Sequence, residues 1–315
     1  MIPSPSSPSG SGDLQRTAAW RSRGLIAASA VLFGTVTVGG SFFHRSGLSL
    51  YEIALYPLIL TFLMLLPVLV RGGRYVPRRE MVPFFAVYGL IGALAELAQF
   101  GGIVLGVPVA TVALLLYTQP IWTSLLGKLL LQERITGRKA LAVALAFGGA
   151  VVLIRGELGA GGGVRDVRGI AAATLGGVFV ALWVIWGRKS GIHQQHSVTT
   201  TLGWSGFSAA WLIVLWPVFF AITRDRALSR LSLSFEGKDW LLLAVFALIA
   251  GVLPSLLLFR GLQTVPASTA GILLLLEPVS ASLMAALFFR QPLGLHTLAG
   301  GFLILLSNFL LARET

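Results

Sequence analysis

Apolar residues in this chain come in runs long enough to cross a bilayer, and the polar positions fall between them at regular intervals. A helical span needs about 20 mostly apolar residues. Ten such runs are legible, at residues 24–43, 50–70, 81–105, 108–131, 139–154, 169–187, 198–222, 240–259, 266–289 and 293–312. The connections around 105–108 and 289–293 are short, so the helices they join are expected to be antiparallel neighbours. Val107-Pro108 and Val265-Pro266 stand where a proline, having no N–H to lose, opens a helix. Residues 1–23 are rich in Ser, Pro and Gly and then carry Arg16, Arg21 and Arg23, which reads as a disordered tail ending in a basic stop. Ala28-Ser29-Ala30 has the small-residue form of a signal-peptidase site. The apolar stretch before it, from Gly24, is shorter than the roughly 7–15 residues a signal segment needs, so the first run reads as an uncleaved helix.

The pattern repeats. Shifted by 158 residues, the segment 107–129 aligns with 265–287 without a gap. Val107, Pro108, Thr111, Leu115, Leu116, Pro120, Ser124, Leu125 and Leu129 meet Val265, Pro266, Thr269, Leu273, Leu274, Pro278, Ser282, Leu283 and Leu287. Leucine matches carry little information in apolar segments, whereas two prolines at equal spacing carry a good deal. An earlier echo pairs the segment from Gly24 to Ser29 with Gly169 to Thr174, at an offset of 145. The chain therefore divides into the tail 1–23, a first five-helix repeat at 24–155 and a second at 169–312. Five is odd, so the second repeat enters the membrane inverted. Inverted repeats place a binding site between them near the midplane and alternate its access by rocking. The expected fold is all-α and integral to the membrane: ten transmembrane helices, as two inverted five-helix repeats around a central cavity.

Composition agrees. Of the 315 residues 56% are hydrophobic and 11% charged, against about 25% charged in a soluble domain. The net charge of +12 is the excess that holds loops on the cytoplasmic side rather than a nucleic-acid surface. With the N-terminus inside, the inner segments hold 15 of the 24 Lys and Arg residues, among them Arg78, Arg79, Lys128, Arg134, Arg138, Lys139, Arg188 and Lys189. Glu52, Glu157, Asp166, Asp225, Glu236 and Asp239 fall outside, so both termini are expected in the cytoplasm. There is no cysteine and hence no disulfide or thiolate. No P-loop and no H-E-x-x-H is present. No lysine lies deep in a span and no arginine at a span centre, which serves an obligate anionic substrate poorly. His193 and His196 have metal-like spacing but sit in a basic loop and read as solvated.

Two five-helix repeats, Leu131-Gln132-Glu133-Arg134-Ile135-Thr136 opening a fifth helix, and Leu276-Glu277-Pro278 in the ninth together resemble the EamA branch of the drug/metabolite transporter superfamily. The resemblance covers nearly the whole chain from Gly24 and includes amino-acid exporters of the YddG type. It implies a multi-pass protein of a bacterial inner membrane whose central helices line a cavity, with no cofactor or metal and no catalytic residue. Its partners would be a small-molecule substrate and membrane lipid, with no nucleic acid, and monomer and homodimer both remain open. The motif departs at Gln291, which stands where Glu133 stands in the first repeat, so nothing that depends on an acid there transfers.

Apart from Glu52 at the outer edge of the second run, two acids lie within apolar runs, Glu96 and Glu277. A charge at bilayer depth costs roughly 2.5–3.5 kcal/mol on the lenient insertion scale, so each should face a cavity or be neutralised. Tyr88, Gly92, Glu96 and Gln99 share one helical face. That stripe suits substrate binding or proton exchange, or alternatively a structural hydrogen bond to a neighbouring helix. Pro278 frees the carbonyl of Leu274 beside Glu277, which makes either a gate with a binding point or a packing kink. Gln119-Pro120 is the counterpart in the first repeat. Thr111, Thr118 and Trp122 share a face of the fourth helix, and Phe33, Gly34, Thr37 and Ser41 a face of the first; both suit a cavity wall. Trp183, Trp186, Trp204, Trp211 and Trp216 read as interfacial anchors. The candidate substrate-binding set is thus Phe33, Thr37, Tyr88, Glu96, Gln99, Thr111, Thr118, Trp122 and Glu277, with Pro120 and Pro278 as hinge or gate. The expected function is secondary transport of neutral or zwitterionic metabolites such as amino acids, with the outward direction implied by the family resemblance alone. The alternatives are another small cargo, such as a vitamin or metallophore, and a non-transporting membrane enzyme or scaffold.

Overall fold

The computed structural model describes residues 9–71, 75–104, 115–158, 167–223, 226–289 and 294–312. It is helical throughout, with no strand among the described residues. The first repeat comprises α1 (Ser9–Arg45), α2 (Leu50–Arg71), α3 (Val82–Val104), α4 (Gln119–Leu131) and α5 (Gly137–Leu158). The second comprises α6 (Val167–Ile192), α7 (Ser197–Thr223), α8, α9 and α10 (Leu295–Ala312). Helix α8 runs Gly237–Phe246, passes through a π-helical turn at Ala247–Val252 and continues as Leu253–Gly261. Helix α9 is also in two pieces, Ala267–Leu273 and Leu276–Phe289.

Seven of the described helices are long and apolar enough to span a bilayer: α1, α2, α3, α6, α7, α8 and α9. Helix α10 carries a shorter apolar stretch, Leu298–Leu310. The start of the fourth expected span, with Val107-Pro108, lies outside the described residues. Helix α1 extends back to Ser9, well ahead of its apolar part, Ala19–His44, and residues 1–8 lie outside the described residues. Large apolar side chains such as Ile222, Leu241 and Leu287 face outward, as a surface solvated by lipid tails permits.

Helix packing carries the duplication into three dimensions. Helix α3 packs on α6 as α8 packs on α1, α4 on α6 as α9 on α1, and α3 on α7 as α8 on α2. Helices α2 and α7, α4 and α9, and α5 and α10 each meet their own counterpart. Exchange of n for n+5 thus maps these contacts onto one another, which is the arrangement of a pseudo-two-fold axis. With five helices to a repeat, that axis relates units of opposite direction. The α5–α10 pair forms a side wall of small residues, in which Ala142 and Ala146 pack with Ile304 and Ser307 Oγ donates to the Ala142 carbonyl at 2.7 Å.

The start of α2 shows how a local signal acquires a long-range role. Ser49 and Glu52 form a capping box: the Ser49 N–H donates to Glu52 Oε2 at 2.7 Å, and the Glu52 N–H donates to Ser49 Oγ at 3.0 Å. Glu52, read from sequence as a loop acid, is fully buried. Its Oε1 accepts the Ser232 N–H at 2.8 Å and lies 3.6 Å from Arg230 Nε. Two backbone donors and a guanidinium therefore converge on one carboxylate, and it clips the connection before α8 to the end of α2. Glu52→Ala is expected to lower stability by about 2 kcal/mol, the scale of losing a cap and stranding a buried donor. Proteolysis should then cleave within 226–236 while the wild type resists; equal resistance would remove the clip.

Candidate functional site

A cavity of about 300 Å³ lies where the repeats face each other. Its walls come from the first four helices of each repeat. Helix α1 gives Phe33, α2 Thr61, α3 Gly92 and Glu96, α4 and its preceding turn Tyr117 and Gln119, α6 Trp183, α7 Trp204, α8 Phe246 and Gly251, and α9 Leu274 and Glu277. Among the described residues none of α5 or α10 lines it.

Irregular backbone opens the walls. The fourth helix of each repeat breaks at nearly the same register, at Tyr117–Thr118 and at Leu274–Leu275, three residues or so before Pro120 and Pro278. A proline removes one donor from the ladder, and the chain tightens to i→i+3 bonds ahead of it. The Thr118 N–H donates to the Leu115 carbonyl at 3.2 Å and the Ile121 N–H to the Thr118 carbonyl at 2.9 Å. In α9 the Leu275 N–H donates to the Ile272 carbonyl at 3.1 Å and the Glu277 N–H to the Leu274 carbonyl at 3.0 Å. The loose Leu274 carbonyl expected from sequence is thus taken, because the tightened turn hands it to the residue just before the proline. What the break does supply is a change of direction that turns Gln119 and Glu277 into the cavity. On the opposite side the π-helical turn of α8 brings Ala250 and Gly251 to the wall.

The candidate residues separate into three groups. Phe33, Glu96 and Glu277 line the cavity. The side chains of Thr37 and Gln99, and all of Thr111, lie outside the described residues. Tyr88, Thr118 and Trp122 do not reach it. Tyr88 is fully buried among Phe84, Phe85 and Phe259, with its hydroxyl unpartnered, because α3 turns that end of the stripe into the α6–α7–α8 contact. Trp122 Nε1 donates to Thr118 Oγ1 at 3.0 Å and Thr118 Oγ1 donates to the Leu115 carbonyl at 2.6 Å, so these two satisfy each other along α4. Pro120 and Pro278 are buried at the starts of their helical segments.

Two residues that read as interfacial anchors are interior. Trp183 and Trp204 stack edge-to-face with centroids 5.2 Å apart, Trp183 meets Phe33 at 6.1 Å, and all three rings line the cavity. Their depth was the available signal: Trp183 lies well inside the span Gly169–Ile192 rather than at its ends. Trp211 and Trp216 instead donate their indole N–H to the carbonyls of Ala86 and Ser229, and Trp186 lies under Lys189 Nζ.

The polarity of the cavity is one-sided. Neither Glu96 nor Glu277 forms a side-chain hydrogen bond or ion pair among the described residues, and no Lys, Arg or His lines the walls. Gln119 Nε2, Trp183 Nε1 and Trp204 Nε1 are buried donors without a partner. Among the described residues no three His, Asp or Glu side chains cluster.

At the end of the seam rich in Lys and Arg the repeats are tied together. Gln132 adopts a left-handed conformation (φ 53°) that ends α4 and turns Glu133 back. Glu133 Oε1 accepts the Ala267 N–H at 2.6 Å, and Oε2 accepts the Ser268 N–H at 3.0 Å and the Ser268 hydroxyl at 2.5 Å. The carboxylate therefore caps α9 of the other repeat, where free N–H groups and the helix dipole favour an anion. Pro266, expected inside the first turn, stands just ahead of it as the N-cap, with no side-chain oxygen to offer. Lys139 Nζ adds a bond to Ser268 Oγ at 3.2 Å, and within the second repeat Arg188 Nη1 joins the end of α6 to that of α8 by donating to the carbonyls of Leu262, at 2.7 Å, and Gln263.

Comparison with known proteins agrees with this architecture. Residues 22–155 and 167–313 each match the EamA-like transporter family. Two proteins of Archaeoglobus fulgidus, each named an uncharacterized transporter, are 27% identical to this chain. One aligns over 79% of this chain and 84% of its own length, the other over 92% and 95%. A solved crystal structure 18% identical in sequence superposes with a TM-score of 0.75 over 93% of this chain and 99% of its own, a likeness of fold. A duplicated unit matched across almost its whole length, built around a shared cavity in a membrane-spanning bundle, places this chain in the EamA-like transporter family of the drug/metabolite transporter superfamily.

Proposed function

We propose that this transporter exports small neutral or zwitterionic metabolites, amino acids among them, by alternating access, binding them in the cavity between its repeats. One observation carries the reading: the two acids deep in the apolar spans, Glu96 and Glu277, come from different repeats into one cavity. A membrane helix keeps a carboxylate where it meets water, an ion or a substrate. In this reading Glu96 meets the substrate amine or a proton, and the break before Pro278 is the flexing point beside Glu277. The bonds that Glu133 and Lys139 make across the seam close the basic end, and their release opens it. The excess of Lys and Arg at that end supports a cytoplasmic location for it and for both termini, in a bacterial inner membrane.

The test is flux. Proteoliposomes containing only this protein should accumulate a labelled amino acid from a mixed pool, and Glu96→Gln should reduce the rate or flatten its pH dependence. Wild-type vesicles no more permeable than protein-free ones, for every amino acid offered, would end the reading. Unaltered flux at every pH in the variant would remove Glu96 from it.

A further inference from the structure

We infer that the cavity recognises a protonated amine held against aromatic rings and discriminates against a free carboxylate. Carboxylate-free amines, such as amino-acid amides and the decarboxylated amines, therefore bind more tightly than the parent amino acids. The inference rests on the transporter reading for its setting and moves the preferred cargo of the same site from zwitterions toward cationic amines.

The argument starts from charge. Glu96 and Glu277 enter the cavity from α3 and α9 with no partner among the described residues. Desolvating a carboxylate is expensive unless a positive group accompanies it. The chain supplies no such group at this depth. No Lys, Arg or His occurs in 50–70, 82–104, 115–127, 169–187, 197–222, 240–259 or 266–289, and none in the segment 105–114. From Glu277 to the end of α9 at Phe289, about 18 Å of helix at 1.5 Å per residue, no basic residue occurs. The missing positive charge must come with the ligand or as protons.

The walls favour an amine. Phe33, Trp183 and Trp204 form a contiguous ring cluster at the cavity surface, with centroids 5.2–6.1 Å apart, and Phe246 lies on the α8 side. An ammonium over such faces is attracted by the negative face of each ring, most strongly where water is excluded.

A carboxylate finds no equivalent welcome. The amides at the breaks in α4 and α9, where a split helix would cradle an anion, are spent on their own turns: Thr118, Ile121, Leu274, Leu275 and Glu277 all donate to backbone carbonyls. Trp204 Nε1 is pressed against α3, so close that a β-carbon on Gly92 would lie 2.5 Å from it. Among the described residues the Gln119 amide, the Trp183 indole and the Thr61 and Tyr117 hydroxyls remain on the wall, all of them neutral, facing two carboxyl groups. A substrate carboxylate would enter repelled and poorly hydrogen-bonded, and its removal or masking should strengthen binding.

Thermal shift of the purified full-length protein tests this with matched series. The probes are leucine, leucinamide and 3-methylbutylamine; phenylalanine, phenylalaninamide and phenethylamine; and NaCl alone at equal ionic strength. The apparent Kd is expected to be at least tenfold lower for the amides and amines than for the parent acids. In Glu96→Gln, Glu277→Gln and the double variant this preference should fall, and in Glu80→Gln, on the exposed turn before α3, it should persist. The wild-type series alone decides the main point, so a variant that fails to fold leaves the test intact. Amino acids that bind as well as their amides, no stabilisation by any amine, sodium that stabilises equally, or a preference that survives in the double variant would each overturn the inference. Amines that bind the protein but never cross proteoliposomes would instead count against the transporter reading and leave the recognition chemistry standing. Amino-acid flux untouched by excess amide would do the reverse.

Discussion

Glu133→Ala should lower the unfolding midpoint in detergent by several degrees and expose the basic end of the seam. The carboxylate accepts three bonds from the first turn of α9, two of them from backbone N–H groups with no intrahelical partner. Charge-assisted bonds contribute about 1.5–3 kcal/mol each in favourable cases. Shared over one side chain and partly replaced by water, the expected loss is about 3 kcal/mol. Loss of the acid also leaves Lys139, buried at 9% exposure, without its nearby negative charge. Glu133→Gln keeps one acceptor oxygen and should lose about half as much. The chain has no cysteine, so an Ala267→Cys reporter has no background. It should be unreactive to a membrane-impermeant maleimide in the parent, where Ala267 is fully buried, and reactive once Glu133 is alanine. A reporter equally protected in both would show that the cap does not hold this end shut.

Gly89→Val should be the most damaging single change in α3. A β-carbon at Gly89 would stand 2.3 Å from Phe207 Cβ, 2.5 Å from the Phe207 carbonyl carbon and 2.7 Å from the Ser208 nitrogen. These are largely backbone atoms of α7, and no side-chain rotation relieves them. The contact is secured by Ser208 Oγ, which donates to the Gly89 carbonyl at 3.1 Å. Overpacking a tight contact usually costs about 1–3 kcal/mol and more where backbones must part. Separating α3 from α7 also breaks the wall that carries Gly92, Glu96 and Trp204. The expected result is poor recovery of monodisperse protein and loss of whatever flux the wild type shows. Gly148→Ala, on α5 where nothing lies within 4 Å of the new atom, is the control and should be neutral or slightly stabilising. Normal yield and midpoint for Gly89→Val would mean that the two helices do not approach this closely.

Some of this was legible along the chain and some was not. Spans, repeats and in-span acids are one-dimensional signals: an apolar run announces its solvent, two prolines 158 positions from their echoes announce a duplication, and a carboxylate inside such a run announces a cavity or a partner. The fates of Tyr88 and Trp183 could not be told apart that way. Both are large amphipathic side chains on helices that face the seam, and helical periodicity assigns a face without saying which neighbour covers it. Tyr88 falls where α3 meets α6, α7 and α8 and is swallowed; Trp183, packed in the same cluster, also lines the cavity. Thr118 and Trp122 fit the pattern of a cavity wall equally well, yet they spend their polar atoms on each other along α4. Glu133 carried a family motif, but nothing near it in sequence says that its partner is the helix start at Ala267.

The sequence by itself determined the solvent, the count of repeats, the inverted order that an odd number of helices imposes, and the absence of any fixed cation at the depth of the two acids. Those properties depend on composition and spacing, which need no neighbours. Only the tertiary structure decided which polar groups share a cavity, which carbonyls a proline leaves free, and which acid caps a distant helix. Each of these is a matter of which surfaces meet when the two repeats close on each other, and the free energy of such contacts belongs to pairs of segments far apart in the chain.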